Sequence, residues 1–256
     1  MSLAFEQRKK KILDILEREK SIQVPHLVES LNVSSETIRR DLNRLEKEGK
    51  LKKVYGGAIL SGSSSWEPPF EQKSLINAEE KRAIGRIAAS LVEDEDIIMI
   101  GNGTTTVEMI DFLTEKKNVT LITYSTPVLL RAINTFKGPI IFIGGEVDTN
   151  QKSTHGLLAE LSLKQLKADK AFIPAGGISI EEGINDYDLN EAKMSRLLQE
   201  RSNELIVLAD HSKLGVSTFA HICALKDISA LITTDPCDEN IEKYLQAQEI
   251  PLIIAE

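Results

Sequence analysis

Residues 34–57 read SSETIRRDLNRLEKEGKLKKVYGG and determine the fold of the N-terminal part of the chain. Three apolar residues recur at helical spacing and form one stripe: Ile38, Leu42 and Leu45. Ser34 or Ser35 can cap the start of this helix by accepting from free backbone N–H groups. Gly49 is placed to end it. The stretch therefore predicts a short amphipathic helix.

Polar and basic side chains occupy the rest of that helix. They are Ser34, Ser35, Thr37, Arg39, Arg40, Asn43 and Lys47. In a DNA major groove, Arg recognises guanine and Asn recognises adenine. A solvated amphipathic helix without any partner shows the same pattern. The helix alone leaves both interpretations open.

The flanking segments favour the DNA-binding interpretation. Helices are expected at about 8–19 and 25–31, and Asn32 then turns the chain into the third helix. Two helices, a tight turn and a third helix form the order of a helix-turn-helix. Residues 51–57 alternate apolar and basic before a Gly-Gly turn, as a basic wing does. A winged helix-turn-helix is predicted.

This segment resembles the signature of the DeoR family of bacterial transcriptional regulators, V-S-x-x-T-I-R-R-D-L-x-x-L followed by a glycine and a basic wing ending in G-G. Residues 33–45 match it, with Gly49 and Gly56-Gly57 behind them. Many members have Arg and His where this chain has Lys53 and Tyr55. Both residues can still meet a phosphate, so the departure affects affinity more than function.

Specific DNA-contacting roles follow from the residue types. Phosphate contacts fix position and base contacts give specificity. We expect phosphate contacts from Arg40 and the wing, where Lys52, Lys53 and Tyr55 are the candidates. Base contacts are expected from Thr37, Arg39 and Asn43, next to Ser34 and Ser35 at the helix start.

Charge is distributed unevenly over the 256 residues. The formal net charge is −8. Residues 1–60 contain 13 Lys and Arg against 9 Asp and Glu, a net +4, so the remainder carries −12. A basic module on an acidic body confines phosphate attraction to one end.

The chain shows no pattern for disulfides, metals or membrane insertion. Cys223 and Cys237 form no C-x-x-C pair and have no His at ligand spacing, which is typical of reduced cysteines. We find no signal peptide and no apolar run near 20 residues. The sequence predicts a cytoplasmic protein without metal or cofactor.

Three segments are expected: a DNA-binding domain at 1–60, a linker at 61–76 and an effector-binding domain at 77–256. Ser61-Gly62-Ser63-Ser64-Ser65 has the composition of a flexible linker. Trp66 and Phe70 behind it are expected to dock the connector onto a domain, or to remain as exposed partner contacts.

From residue 78 onward, helical stretches alternate with short apolar strands. The expected helices are 78–92, 104–114, 127–136, 156–167, 189–202 and 239–247. The expected strands are 97–100, 119–122, 140–143, 170–173, 205–208, 228–233 and 252–254. Continuous apolar strands between helices predict an α/β domain with a mostly parallel sheet covered on both faces. Ligands bind such sheets beyond the carboxyl ends of the strands.

Glycine and polar residues cluster at those carboxyl ends. After the first strand, Gly101-Asn102-Gly103-Thr104-Thr105 can present free N–H groups and hydroxyls to a phosphate. The same loop could serve only as a connection. The expected effector-binding residues are Asn102, Gly103, Thr104, Thr105, Tyr124, Ser125, Gly144, Gly176, Gly177, Asp186, Glu191 and Lys213.

Residues 75–250 also resemble the DeoR effector domain, which implies a fold like ribose-5-phosphate isomerase and recognition of phosphorylated sugars. The matching motifs are Gly103-Thr104-Thr105, Ser125, Gly144-Gly145, Ala168-Asp169-Lys170-Ala171-Phe172, Glu191-Ala192 and Asp210-His211-Ser212-Lys213. By this resemblance Lys213 is the candidate cation for the ligand's anionic group; a plain surface lysine is the alternative.

Departures from the family pattern lie at the ligand end. Tyr124 replaces an Asn of the family, and Gly101 and Gly176 stand where family members often have Asp. Each glycine removes a carboxylate that could accept a sugar hydroxyl. Asn185-Asp186-Tyr187-Asp188 can supply such contacts instead.

The sequence favours a transcriptional regulator, and a repressor is the commoner case in this family. It would control a carbohydrate-utilisation operon, bind double-stranded DNA as a homo-oligomer and respond to a phosphorylated sugar. The alternative is a sugar-phosphate isomerase-like enzyme with Glu191 and Lys213 as acid–base groups, which the missing carboxylates disfavour. A DNA-binding protein without a ligand would leave the polar strand ends unexplained.

Overall fold

A computed structural model of the chain describes residues 3–19, 21–54, 57–60 and 68–256. Two compact units divide the chain, an N-terminal unit at 1–67 and a C-terminal unit at 68–256. Tyr55, Trp66 and the Ser61–Ser65 stretch lie outside the described residues, as does the side chain of Lys52. No described helix is long and apolar enough to span a bilayer.

The N-terminal unit is a winged helix-turn-helix, as the sequence predicts. Its elements are α1 (Leu3–Glu19), β1 (Ser21–Gln23), α2 (Val24–Leu31), α3 (Ser35–Lys47), β2 (Leu51–Val54) and β3 (Gly57–Leu60). The strands form an antiparallel sheet in the order β1-β3-β2. Strand β1 is absent from the sequence-based expectation because its three residues gain order only by pairing with β3.

The core of this unit joins all three helices to the wing. Its fully buried members include Ile12, Leu27, Ile38, Leu45 and Leu51. The predicted apolar stripe of α3 thus faces inward, which turns the opposite, basic face of that helix outward.

The C-terminal unit contains the remaining elements. Its helices are α4 (Phe70–Leu75), α5 (Ala78–Ser90), α6 (Thr126–Thr135), α7 (Leu157–Lys164), α8 (Leu189–Glu200) and α9 (Glu239–Ala247). Its strands are β4 (Ile97–Ile100), β5 (Thr120–Thr123), β6 (Ile140–Phe142), β7 (Glu146–Asp148), β8 (Ser153–His155), β9 (Ala168–Pro174), β10 (Gly177–Ser179), β11 (Gly183–Asp186), β12 (Ser202–Leu208), β13 (Ala220–Cys223), β14 (Ala230–Thr233) and β15 (Leu252–Ile254).

Seven of these strands form one parallel sheet in the order β15-β14-β12-β9-β4-β5-β6. Separate hydrophobic cores cover its two faces, one around Ile84, Ile98 and Phe172, the other around Met99 and Ile173. The α/β class with a mostly parallel sheet is confirmed. The carboxyl ends of β12, β9, β4 and β5 are neighbours along one edge.

Three features differ from the sequence-based expectation. A 3₁₀ helix at Thr106–Phe112 replaces the α-helix expected at 104–114; at its start the Thr106 hydroxyl donates to the carbonyls of Gly101 and Gly103. Two small antiparallel sheets, β7-β8 and β10-β11-β13, add to the parallel one. Helix α4 lies within the segment expected to be linker, with Phe70 buried.

Candidate functional sites

Helix α3 is built to present its basic face. Ser34 is the N-cap and accepts from the Thr37 N–H at 3.3 Å, while the two hydroxyls lie 2.9 Å apart. At the other end Gly49 adopts φ +68°, and its N–H donates to the Glu46 carbonyl at 2.8 Å. Lys50 N–H donates to the Leu45 carbonyl at 3.0 Å, which completes a Schellman cap.

Two arginines on the outer face of α3 remain available for a partner. Arg39 and Arg40 are exposed, and neither forms a hydrogen bond or ion pair with any residue that the structure describes. Arg44 differs, because its guanidinium stacks 4.4 Å from the Phe5 ring centroid and lies 4.0 Å from Glu48. Ser35 is exposed at the start of the helix, and Thr37 is half-buried.

The wing is tied to α3. Lys53 N–H donates to Glu46 Oε1 at 2.7 Å, and Lys53 Nζ donates to Asn43 Oδ1. Asn43 is exposed, but recognition of adenine through its carbonyl oxygen requires that this bond to Lys53 open. A partly buried ion pair between Arg8 Nε and Asp41 Oδ2, 2.6 Å apart, joins α1 to α3.

In the C-terminal unit, the first candidate pocket feature is the loop after β4. Gly103 is fixed by sterics, since a Cβ there would lie 2.6 Å from Pro174 Cβ. Thr104 and Thr105 are buried, yet their hydroxyls and N–H groups donate to no residue in the described part of the chain. These donors are the type that a phosphate accepts from.

A polar network lies beside this loop and joins four elements. Asn102 Nδ2 donates to the Gln151 carbonyl at 2.9 Å and lies 3.4 Å from Glu191 Oε1. Ser125 Oγ, the N-cap of α6, donates to Asn102 Oδ1 at 2.8 Å, and Ser153 Oγ donates to Glu191 Oε1. The sequence-predicted Asn102, Ser125 and Glu191 are therefore brought together.

Tyr124 is buried next to this network and is neutral. Burial raises the pKa of its hydroxyl well above the usual value, and the charge of Glu191 adds to the rise. The ring therefore contributes apolar surface and an undissociated hydroxyl to this part of the sheet edge.

Gly176, Asp186 and Lys213 meet at Tyr187. A Cβ on Gly176 would lie 3.0 Å from both Tyr187 Cδ2 and Asp186 Cα, so the tyrosine ring fills the space that an aspartate side chain would need. Lys213 Nζ lies 5.7 Å from the centre of the same ring. A Cβ built on Gly177 would lie 2.4 Å from the Val216 carbonyl oxygen, so the backbone packs closely against this glycine.

Gly144 differs from the other predicted glycines in having open space around it. It is exposed after β6, and a Cβ built there meets no atom within 4 Å. Nothing in its surroundings requires glycine, and β6 is the outermost strand of the sheet.

Lysines that the sequence reasoning missed lie at the same edge. Lys81 on α5 is only 5% exposed, and its Nζ donates to the Lys73 carbonyl at 2.5 Å. Burial lowers the pKa of Lys81 to about 8; Asp210 opposes this shift, whereas Lys213 and Lys73 add to it. No sequence motif marks Lys81, because only the antiparallel packing of α5 on the sheet brings it there.

Asp210 is the acceptor at the centre of this lysine cluster. Asn77 Nδ2 donates to Asp210 Oδ1 at 3.0 Å, and Ser212 Oγ donates to the same oxygen at 2.5 Å. Burial raises the pKa of Asp210, but these hydrogen bonds and the two nearby lysines outweigh it, so the net pKa is lowered.

One group of metal-ligand type lies at the edge. Glu80, Asp210 and His211 have oxygen and nitrogen atoms within 4.8 Å of one another. Glu80 Oε2 lies 2.7 Å from His211 Nδ1. The charges of Lys213 and Lys81 also act on Asp210 and help to lower its pKa, so cationic groups already neighbour these carboxylates.

Known families match both units. The DeoR-like helix-turn-helix domain model matches residues 8–64, and the DeoR C terminal sensor domain model matches residues 76–235. The HTH-type transcriptional regulator GolR of Listeria innocua is 34% identical over 98% of each chain. IolR of Bacillus subtilis is 31% identical over 92% of this chain and 93% of its own. The lactose phosphotransferase system repressor of Staphylococcus aureus is 32% identical over 92% of this chain and 94% of its own.

Solved structures resemble only part of the chain. Ribose 5-phosphate isomerase A of Methanocaldococcus jannaschii has a TM-score of 0.41 and 21% identity over 54% of this chain and 55% of its own. The eIF2B delta subunit of Chaetomium thermophilum has a TM-score of 0.43 and 15% identity over 63% of this chain and 58% of its own. The chain thus spans little more than half of these proteins.

Proposed function

Because this chain belongs to the DeoR family of DNA-binding transcriptional regulators, we propose that it represses a carbohydrate-utilisation operon and is released from DNA by a phosphorylated sugar. The family is one of regulators and not of enzymes, so the isomerase alternative is set aside. One relative is named a lactose phosphotransferase system repressor, which supports both repression and a sugar-related target.

The ligand class rests on one observation. Free N–H and hydroxyl donors of the loop after β4 and the buried ammonium of Lys81 occur at the same edge of the sheet. A buried cation without a carboxylate salt bridge is unfavourable, and a bound phosphate relieves that cost. Asn102, Ser125, Asp186 and Glu191 then supply acceptors and donors for sugar hydroxyls.

On the DNA side, the proposed base contacts come from Thr37, Arg39 and Asn43. The proposed phosphate contacts come from Ser34, Ser35, Arg40, Lys52, Lys53 and Tyr55. One recognition helix covers only a few base pairs, so the repressor binds repeated half-sites as a homo-oligomer.

Matched arginine substitutions test the DNA assignment. An operator is first selected from a random duplex pool with the full chain. Arg39→Ala then weakens binding by about 1–3 kcal/mol through one base position. Arg40→Ala weakens all duplexes alike and lowers the salt slope by about 1. Arg44→Ala is the control in the same helix. Because Arg44 packs against Phe5 and Glu48, its substitution should change DNA affinity little.

Gel-shift titrations at several salt concentrations measure these changes. Unchanged affinity in the Arg39→Ala, Arg40→Ala double variant refutes the DNA-contacting assignment.

Thermal-shift screening tests the ligand class. Screening against phosphorylated sugars and polyols is expected to give a stabilising compound, and that compound should release the operator. No shift with any phosphorylated sugar contradicts the proposed ligand class.

A further inference from the structure

Exposed apolar side chains concentrate at one end of the large sheet. Of the eleven exposed large hydrophobic residues in the described part of the chain, seven lie on β6, α6, β7 and α7. We call this set the apolar band: Leu130, Ile133, Ile141, Val147, Leu157, Leu158 and Leu161. The other four are scattered singly. Monomeric proteins seldom expose large contiguous apolar patches.

The band wraps around the open edge of the sheet. Strand β6 is the last strand in the order and pairs only with β5 among the described strands. Helix α6 buries Val128 and Ala132 in the core of one sheet face, and α7 buries Ala159 and Leu163 in the core of the other. Strand β8 contacts both helices, so the β7–β8 hairpin bridges them.

Side-chain directions place the apolar residues on the outer flanks of both helices. On α6, Arg131 turns inward along the sheet to Glu108 and Asp111 of the 3₁₀ helix, and Ile133 lies on the opposite flank. On α7, Glu160 faces α8 through its ion pair with Lys193, and Leu158 lies on the opposite flank. Both flanks therefore face the edge that β6 leaves open.

Local charge makes this edge the place where two acidic bodies can approach. Residues 61–256 carry a net charge of −12. Within them, residues 126–164 contain four Lys and Arg against three Asp and Glu, a net +1. Like charges facing each other disfavour association, and this segment lacks the net negative charge of the unit as a whole.

We propose that the apolar band is the surface through which two copies of this chain associate. This deepens the proposed function, which needs two recognition helices on one operator. The band exposes roughly 400 Å² of apolar surface, taking about 100 Å² for a fully exposed aliphatic side chain. One side of a standard interface buries about 800 Å², of which roughly 60% is apolar. The band supplies most of that apolar share.

Single charge insertions on the full-length chain test the proposal. Ile133→Glu and Leu158→Glu each place a carboxylate on one half of the band, at positions 61% and 70% exposed. Leu189→Glu is the matched control, since Leu189 is 57% exposed on α8 outside the band. Molar mass is measured by light scattering and sedimentation velocity across a concentration series.

The wild-type chain and Leu189→Glu are expected to show the same oligomeric mass, and both band variants half of it. Thermal midpoints should stay close together because all three positions are exposed. A monomeric wild-type chain, or band variants that keep the wild-type mass, overturns the proposal. Gel shifts with a single half-site distinguish failure of this proposal from failure of the proposed function. A dissociated variant that still binds the half-site leaves the proposed function standing. If the wild-type chain binds no DNA at all, the proposed function is refuted and the association surface is not.

Discussion

Lys81 is a buried lysine whose ionisation is set by burial and by charged neighbours from other segments. Its ammonium donates to a backbone carbonyl and lies in the field of Lys73, Lys213 and Asp210. Burial lowers its pKa to about 8, near the pH at which proteins work. A bound phosphate favours the charged form, so it raises this pKa again.

This coupling predicts a pH dependence of ligand binding. Above pH 7.5 a phosphate monoester is already dianionic, its second pKa being about 6. As pH rises past about 8, free Lys81 loses its proton while the liganded form keeps it, so affinity falls with pH. Lys81→Arg stays charged and should flatten the profile. Isothermal titration from pH 7 to 9.5 measures it, and an equally steep decline in both proteins contradicts the assignment.

At the scale of elements, α3 owes its outline to local chemistry. Its N-cap, apolar stripe and glycine stop all follow from residues within one stretch, and the structure has each of them. The 3₁₀ helix after β4 also starts in a locally bonded turn, where the Thr106 hydroxyl donates to the carbonyls of Gly101 and Gly103, although its 3₁₀ geometry is not evident from the sequence.

The Schellman cap of α3 gives a stability prediction. Gly49 holds φ +68°, and a Cβ built there meets no atom, so Gly49→Ala adds only backbone strain. That strain should lower the free energy of unfolding of the N-terminal unit by about 1–2 kcal/mol. Gly144→Ala, also in open space but without a positive φ, is the control and should change stability little. Urea unfolding followed by circular dichroism tests both; equal effects contradict the reasoning.

For the whole molecule, separate cores predict separate unfolding. The core of the N-terminal unit uses residues between 12 and 58, and the two cores of the C-terminal unit use residues between 70 and 255. Calorimetry of the full chain should therefore show two transitions. A phosphorylated sugar at 100 times its Kd should stabilise only the C-terminal unit, by about 2.7 kcal/mol.

Gly49→Ala identifies the transition of the N-terminal unit because it should move that one alone. If the ligand moves this same transition, or if a single transition is observed, the two units do not unfold independently. Either result would refute the whole-molecule prediction.

The sequence by itself determined the winged helix-turn-helix, the alternating α/β pattern and the family, because spacing, caps and motifs act over a few neighbouring residues. It also pointed to the loop at Gly103 and the network around Asn102. Only the tertiary structure placed Lys81 beside Asp210, put Tyr187 in the space next to Gly176 and gathered the apolar band around β6. These positions depend on strand order and helix direction, which join residues far apart in the chain and leave no local trace in its sequence.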